Sequence, residues 1–291
     1  MRFIHITDTH IGPSPAFRLY GRDPFANLVQ LVDRIVDIPF DYDFVIHTGD
    51  VTDDGSADSY RLFKSQIDRL RKPVRYVIGN HDQLQPMRDV LFPLRDVLFP
   101  PRDVLFPLRD SSLNESIGPS ARLDYTFDHA GIDFTVLDTR GPTDPGGHLD
   151  DEQLARLSEQ CNAKSSRPLV LFIHHQPVPL DTPWLDLGGK SWTPGRFMRM
   201  DNGEAFLRAI SPAGPSGTNR LRGVFLGHVH TPFHITRDGI SFTTAPSSFA
   251  QLTTDPNHDD VIPTPDVPVG FNIVTIEGPQ TLVRSVRYPA V

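Results

Sequence analysis

Asp8 and His10, Asp50, Asn80, His174, then His228 and His230 are residue types that hold hard to borderline metal ions, and they stand in five short groups along the chain. Carboxylate, imidazole and amide oxygen suit manganese, iron, zinc or cobalt, and a carboxylate has two oxygens with which to bridge adjacent ions. Asp50 is the natural bridge. Two ions about 3.5 to 4 Å apart would polarise a phosphoryl group and lower the pKa of a shared water, so that hydroxide becomes available near pH 7. Asp8 and His10 alternate along an extended segment, as do His228 and His230. Each pair can face one ion only if the backbone departs from flat strand geometry.

Every group follows a short apolar run that reads as a strand: Phe3 to Ile6, Phe44 to Ile46, Tyr76 to Ile78, Val170 to Ile173 and Val224 to Leu226. In an open α/β sheet, ligands bind beyond the carboxyl ends of the strands, so five such ends can converge on one crevice. Helical spacing over Phe25 to Val36, behind Pro24, and over Ser59 to Leu70 alternates with the first three strands. This βαβαβ order predicts parallel pairing. A hairpin is expected over Leu123 to Phe127 and Ile132 to Leu137, with helices over Glu152 to Gln160 and Gly203 to Ile210. The part from about residue 223 to 291 is β-rich. Two packed sheets flanked by helices accommodate the list, and one domain over residues 1–291 is the simplest division.

A seven-residue unit, Arg-Asp-Val-Leu-Phe-Pro-Leu, repeats within an insertion at about residues 86–110, with Arg88, Arg95, Arg102 and Arg109 in register. Pro93, Pro100 and Pro107 exclude a continuous coiled coil. Expansion of a surface loop is the expected origin, with a cap over the site or an oligomer contact as the sharper reading.

The formal net charge of −8 leaves no basic footprint for nucleic acid or an acidic membrane. Cys161, the only cysteine, excludes an intramolecular disulfide and thiolate ligation of the metals. With no apolar run of the roughly 20 residues that span a bilayer, and no signal-like start, a cytoplasmic location is expected.

Asp8-Thr9-His10, Gly49-Asp50-Val51-Thr52-Asp53, Gly79-Asn80-His81-Asp82, His174-His175 and Gly227-His228-Val229-His230 together resemble, in order, the five blocks of the calcineurin-like metallophosphoesterases. The resemblance implies a four-layer α/β/β/α sandwich of two mixed sheets. It also implies one metal on Asp8, His10, Asp50 and His230, and a second on Asp50, Asn80, His174 and His228. His81 would protonate the leaving oxygen and Asp53 would orient its imidazole. His174-His175-Gln176-Pro177-Val178-Pro179, Trp184-Leu185-Asp186 and Ala245-Pro246-Ser247-Ser248-Phe249 look closer to the bacterial class III cyclic-nucleotide phosphodiesterases and related phosphodiesterases. Gln176, where a proline is expected, and Gly188-Gly189-Lys190 depart from that pattern.

The leading expectation is therefore hydrolysis of a small phosphodiester by a metal-bridging hydroxide, with 3′,5′-cyclic nucleotides or glycerophosphodiesters as substrates. A nuclease and a catalytically silent interaction module are the alternatives. The metals expected are manganese, iron or zinc, and the family resemblance suggests a homodimer. His5 and His47 are read as core residues, His175 as a support for its neighbour, and His129, His148, His234 and His258 as loop or surface residues. Asp54 and Asp82 read as solvated carboxylates, Asp82 equally as a brace for the His81 turn. Trp184 and Phe249 read as core aromatics first and as base-stacking groups second, and Arg18, Tyr20 and Arg22 as a solvated loop first and as residues that meet substrate second.

Overall fold

Alternating apolar positions in the strands build two sheets that share an aromatic interior in the computed structural model, which describes residues 1–92, 122–192, 198–211, 220–264 and 266–291. The first sheet has the order β13-β12-β1-β2-β3, from β1 (Arg2–Ile6), β2 (Phe44–His47), β3 (Val74–Tyr76), β12 (Val269–Glu277) and β13 (Gln280–Tyr288). Its β1, β2 and β3 are parallel, whereas β12 is antiparallel to β1 and to β13. The second sheet has the order β4-β5-β6-β7-β9-β8, from β4 (Tyr125–His129), β5 (Ile132–Val136), β6 (Leu169–Phe172), β7 (Leu221–Leu226), β8 (His234–Arg237) and β9 (Ile240–Thr244). Strands β5, β6, β7 and β9 run parallel, with antiparallel β4 and β8 at the edges. A short pair, β10 (Gln251–Leu252) with β11 (Pro263–Thr264), lies apart from both.

Strand alternation sorts each residue to one face. Phe3 and Phe44 point inward and meet Phe134, Phe172 and Phe225 of the second sheet, Phe3 lying 5.3 Å from Phe225 and 5.6 Å from Phe172 between ring centres. Each fully buried phenylalanine contributes roughly 1.5–3 kcal/mol, so this ring layer fixes the two sheets face to face. On the outer face of the first sheet, helices α1 (Pro24–Val36) and α2 (Ala57–Ile67) bury Leu31, Val32, Ile35, Tyr60 and Phe63 against Ile4, Ile6 and Val45. On the outer face of the second, α4 (Asp151–Asn162) and α6 (Gly203–Ile210) bury Leu157, Phe206 and Ile210 against Leu171, Ile173 and Val224. This is the four-layer α/β/β/α sandwich.

Local signals start the helices. Asp23 caps α1 by accepting the Ala26 N–H, and Pro24 occupies its first turn. Asp150 and Gln153 form a reciprocal capping box on α4. The heptad unit enters the described residues only through α3 (Leu84–Leu91) and Phe92; the rest of the insertion lies outside them. A one-turn helix, α5 (Pro183–Asp186), carries Trp184, whose indole N–H donates to the Thr253 carbonyl at 2.8 Å. Among the described residues, no helix is long and apolar enough to cross a membrane.

Candidate metal centre

Five strands deliver the metal-binding residue types, but from two sheets rather than one. Asp8, Asp50 and Asn80 follow β1, β2 and β3 of the first sheet; His174 and His228 follow β6 and β7 of the second. The site lies where the carboxyl ends of both sheets come together.

The predicted departure from strand geometry is present at each paired position, but only Asp8 and His10 turn to one cluster; His228 and His230 part to different ones. Asp8, His10, His228 and His230 have φ of 51°, 45°, 70° and 55°, and Asp50 has φ of 54°. Left-handed backbone is several-fold enriched in Asp and His among non-glycine residues, yet each such residue costs about 1–3 kcal/mol unless its surroundings hold it. Here the neighbouring loops hold it: His10 N donates to the Asp50 carbonyl at 3.1 Å, and His228 N donates to the Asp8 carboxylate at 3.1 Å.

The side chains converge on two clusters joined by Asp50, with His175 also within reach in the second and His10 grouped as well with Asp53 and His81. Asp8, His10, Asp50 and His230 form one, with His10 Nε2 3.0 Å from His230 Nε2 and His230 Nε2 3.8 Å from Asp8 Oδ1. In the other, His174 Nε2 lies 3.2 Å from Asn80 Oδ1, and the buried Nε2 of His228 has no hydrogen-bond partner. Asp50 Oδ2 stands between them, 3.6 Å from His10 Nε2 and 3.4 Å from His174 Nε2.

Tautomers show why cations fit. His174 Nδ1 faces the Thr48 carbonyl at 2.7 Å and His230 Nδ1 the Ala250 carbonyl at 2.9 Å; a carbonyl only accepts, so each Nδ1 carries the proton. His10 Nδ1 likewise meets Asp53 Oδ1 at 3.2 Å. Each neutral ring then presents an Nε2 lone pair to a cage already lined by the oxygens of Asp8, Asp50 and Asn80. Lone pair faces lone pair, an arrangement that a cation resolves. Asn80 is turned the right way for this, because its Nδ2 donates to Asp144 Oδ1 at 3.3 Å and leaves Oδ1 towards His174.

The protonation balance carries the same message. Burial opposes charge on Asp50, but the His174 and His81 imidazoles outweigh it and hold its carboxyl well below the usual range. Burial would also lower His174, yet Asp50 beside it pushes the ring up to about 9. Burial raises Asp8, and burial lowers His230 to about 4 and His228 well below its ordinary value. A proton on His174 is one way to neutralise Asp50; metal ions are another, and they also use the remaining lone pairs.

Supporting residues fall partly as expected. His5 and His47 are buried core rings bonded to Thr48 and Thr9 hydroxyls at 2.9 and 3.0 Å, and burial drives both down to about 3. His175 packs against His174 and His228, with Nδ1 2.8 Å from the Thr139 hydroxyl. Asp82 is buried rather than solvated. It accepts from the N–H groups of Gly79, Val51 and Thr52 and from the Tyr60 hydroxyl at 2.8 Å, which braces the turn holding His81. Asp54 accepts from Ser56 N and Ser59 Oγ at the start of α2. His129 and His148 pair with Asp43 and Asp201 away from the centre. His81 Nδ1 donates to the main-chain carbonyl of Asp53 at 3.0 Å, while the Asp53 carboxylate is nearer His10. Orientation of His81 therefore comes chiefly from a carbonyl, which residue type does not reveal.

Phe249 is buried, as read, and Tyr20 lies on an exposed turn, yet both reach the site. Tyr20 and Phe249 line the cleft above the metal-binding residues, with Trp192, Met198, Leu252 and Val261. Trp184 lines a neighbouring groove instead.

Glycine precedes Asp50 and Asn80 because the loops nearly touch. A Cβ at Gly79 would stand 2.2 Å from Asp50 Oδ1 and 2.3 Å from its main-chain nitrogen; at Gly49, where φ is 102°, it would meet His174 Nδ1 at 2.3 Å. Gly79→Ala is therefore expected to destabilise the protein by about 1–3 kcal/mol, as overpacking does, lowering the melting midpoint by several degrees. Metal content after dialysis should fall with it. An unchanged midpoint at full metal content would show that the loop yields freely.

Comparison with known proteins agrees with this geometry. A 3′,5′-cyclic adenosine monophosphate phosphodiesterase, CpdA of Pseudomonas aeruginosa, is 26% identical over 249 residues, covering 86% of this chain and 76% of that protein. A probable cyclic nucleotide phosphodiesterase of Rhodopseudomonas palustris is 27% identical over 291 residues, covering 99% and 93%. Purple acid phosphatase from yellow lupin seeds shares the fold, with a TM-score of 0.55 at 15% identity over 98% of this chain and 51% of that one. The calcineurin-like phosphoesterase family model matches residues 1–232, a span that holds every residue of both clusters, and the chain belongs to that family of metal-dependent hydrolases.

Proposed function

We propose that the chain hydrolyses small phosphodiesters, 3′,5′-cyclic nucleotides first among them, at a two-metal centre. Asp8, His10, Asp50 and His230 would hold one ion, and Asp50, Asn80, His174 and His228 the other. The observation that carries this reading is the position of Asp50 Oδ2 between His10 Nε2 and His174 Nε2. Manganese, iron or zinc suits the oxygen and nitrogen donors. When bound, the pair would polarise the phosphoryl group and make hydroxide available near neutral pH.

The chain's own residues do the rest. His81 Nδ1 is held by the Asp53 carbonyl, so its Nε2 is the atom that passes a proton to the leaving oxygen. The Asp50 carboxylate and the Asp53 carbonyl and carboxylate favour the charged imidazole, and His81 is raised above its ordinary pKa although burial works against that. Asn80, fixed through Asp144, would help stabilise charge on the phosphoryl oxygens. A water oxygen forms the new bond to phosphorus as the bond to the leaving oxygen breaks and that oxygen takes the His81 proton, so a linear diester becomes a monoester and an alcohol, and a cyclic one opens to a single monoester carrying a free hydroxyl.

Among the described residues that line the cleft there is no lysine or arginine, which disfavours a nucleic-acid strand as substrate. A single domain over residues 1–291, a cytoplasmic location and a homodimer complete the reading.

One panel run with manganese tests it: bis-nitrophenyl phosphate, nitrophenyl phosphate, cyclic AMP, glycerophosphocholine and single-stranded DNA. Turnover of cyclic AMP and bis-nitrophenyl phosphate is expected. Fast monoester hydrolysis without diester activity would overturn the proposal.

A further inference from the structure

Leu19, Tyr20, Gly21 and Arg22 form a two-residue turn closed by Leu19 N to Arg22 O at 3.2 Å and Arg22 N to Leu19 O at 2.9 Å. Both central residues are left-handed, Tyr20 at φ 48° and Gly21 at φ 75°. Turns of this kind select Asn, Asp or Gly at the first central position. A tyrosine there carries a backbone cost of about 1–3 kcal/mol. Burial does not offset it, because Tyr20 is 72% exposed, the most exposed large hydrophobic residue among those described. Neither the turn nor the core accounts for an aromatic ring at this place.

The ring nevertheless has a fixed position. Arg18 pairs with Asp23 at 2.9 Å, and the same Asp23 caps α1 through Ala26 N at 2.9 Å, so the turn is tied to the start of a core helix. Tyr20 lies 6.5 Å from the Phe249 ring at a tilt of 35°, and Phe249 lies 5.6 Å from His10. The two rings make a step that rises from the metal cage to solvent along a cleft of about 340 Å³ whose described lining holds no lysine or arginine. Grip on the organic part of a substrate must come from stacking and apolar contact.

We propose that Tyr20 is a specificity-determining residue, an aromatic shelf on which the flat base of a diester stacks while its phosphoryl group occupies the cage; this rests on the phosphodiesterase reading above. Tyr20→Asn is the informative variant, since asparagine suits the turn and removes the ring. Its melting midpoint should stay the same or rise. Base–aromatic stacking is worth about 1–3 kcal/mol, so KM for cyclic AMP should increase roughly five- to hundredfold, with kcat within about twofold. Turnover of glycerophosphocholine, which has no base, should change by less than about twofold, and Tyr20→Phe should behave as the unmodified protein does. Equal losses on both substrates, or an unchanged KM for cyclic AMP, would overturn the shelf. Calorimetric binding of adenosine 5′-monophosphate to the manganese-loaded protein reports the shelf separately from catalysis. If the unmodified protein turns over neither diester, the phosphodiesterase reading fails; if Tyr20→Asn binds the monophosphate as tightly as the unmodified protein, the shelf fails.

Discussion

Asp50→Asn is expected to strip metal from both halves of the centre at once, leaving a folded protein with substoichiometric metal after dialysis. Asparagine keeps the volume and tolerates the left-handed backbone that Asp50 adopts at φ 54°. What it removes is the negative charge and one of the two oxygens, and Oδ2 is the atom within 3.6 Å of His10 Nε2 and 3.4 Å of His174 Nε2. Loss of a residue that merely supports a ligand costs about 10- to 100-fold in metal affinity, and loss of a shared ligand should exceed that. Elemental analysis alongside circular dichroism reads the result. Two equivalents of metal retained by the variant would place the bridge elsewhere.

His81→Ala should separate two kinds of substrate. His81 is held beside the cage without joining either cluster around Asp50: its main-chain N–H donates to Asp50 Oδ1 at 3.0 Å and its Nδ1 to the Asp53 carbonyl. A positioned general acid contributes about 10²- to 10⁴-fold when the leaving group needs a proton. Turnover of cyclic AMP, whose departing oxygen is an alkoxide, should fall by that amount. A nitrophenolate leaves with little help, so bis-nitrophenyl phosphate should lose far less. Equal losses on both substrates would remove His81 from the acid role. Metal content should be unchanged, which distinguishes this variant from Asp50→Asn.

Strand and helix positions were legible in the sequence because periodicity reports burial directly. Phe25 to Val36 and the strands ending before Asp8, Asp50 and Asn80 stand where the apolar spacing places them. The β10–β11 pair and the one-turn helix at Pro183–Asp186 were not legible, being too short to show a period. Asp82 reads from the sequence equally as a solvated carboxylate and as a brace for the His81 turn, and its five donors in space choose the brace. Tyr20 and Phe249 are separated by most of the chain, so no local pattern could bring them to one cleft.

Residue type and order alone determined the chemistry of the centre, because imidazole, carboxylate and amide oxygen at five strand ends leave few alternatives to metal binding. The tertiary structure decided what those groups do together. Packing of two sheets through Phe3, Phe44, Phe134, Phe172 and Phe225 brings their carboxyl ends into one place, and carbonyls of Thr48, Asp53 and Ala250 choose the tautomers. Main-chain carbonyls are the same in every residue, so their direction is a property of the fold and has no signature in the sequence.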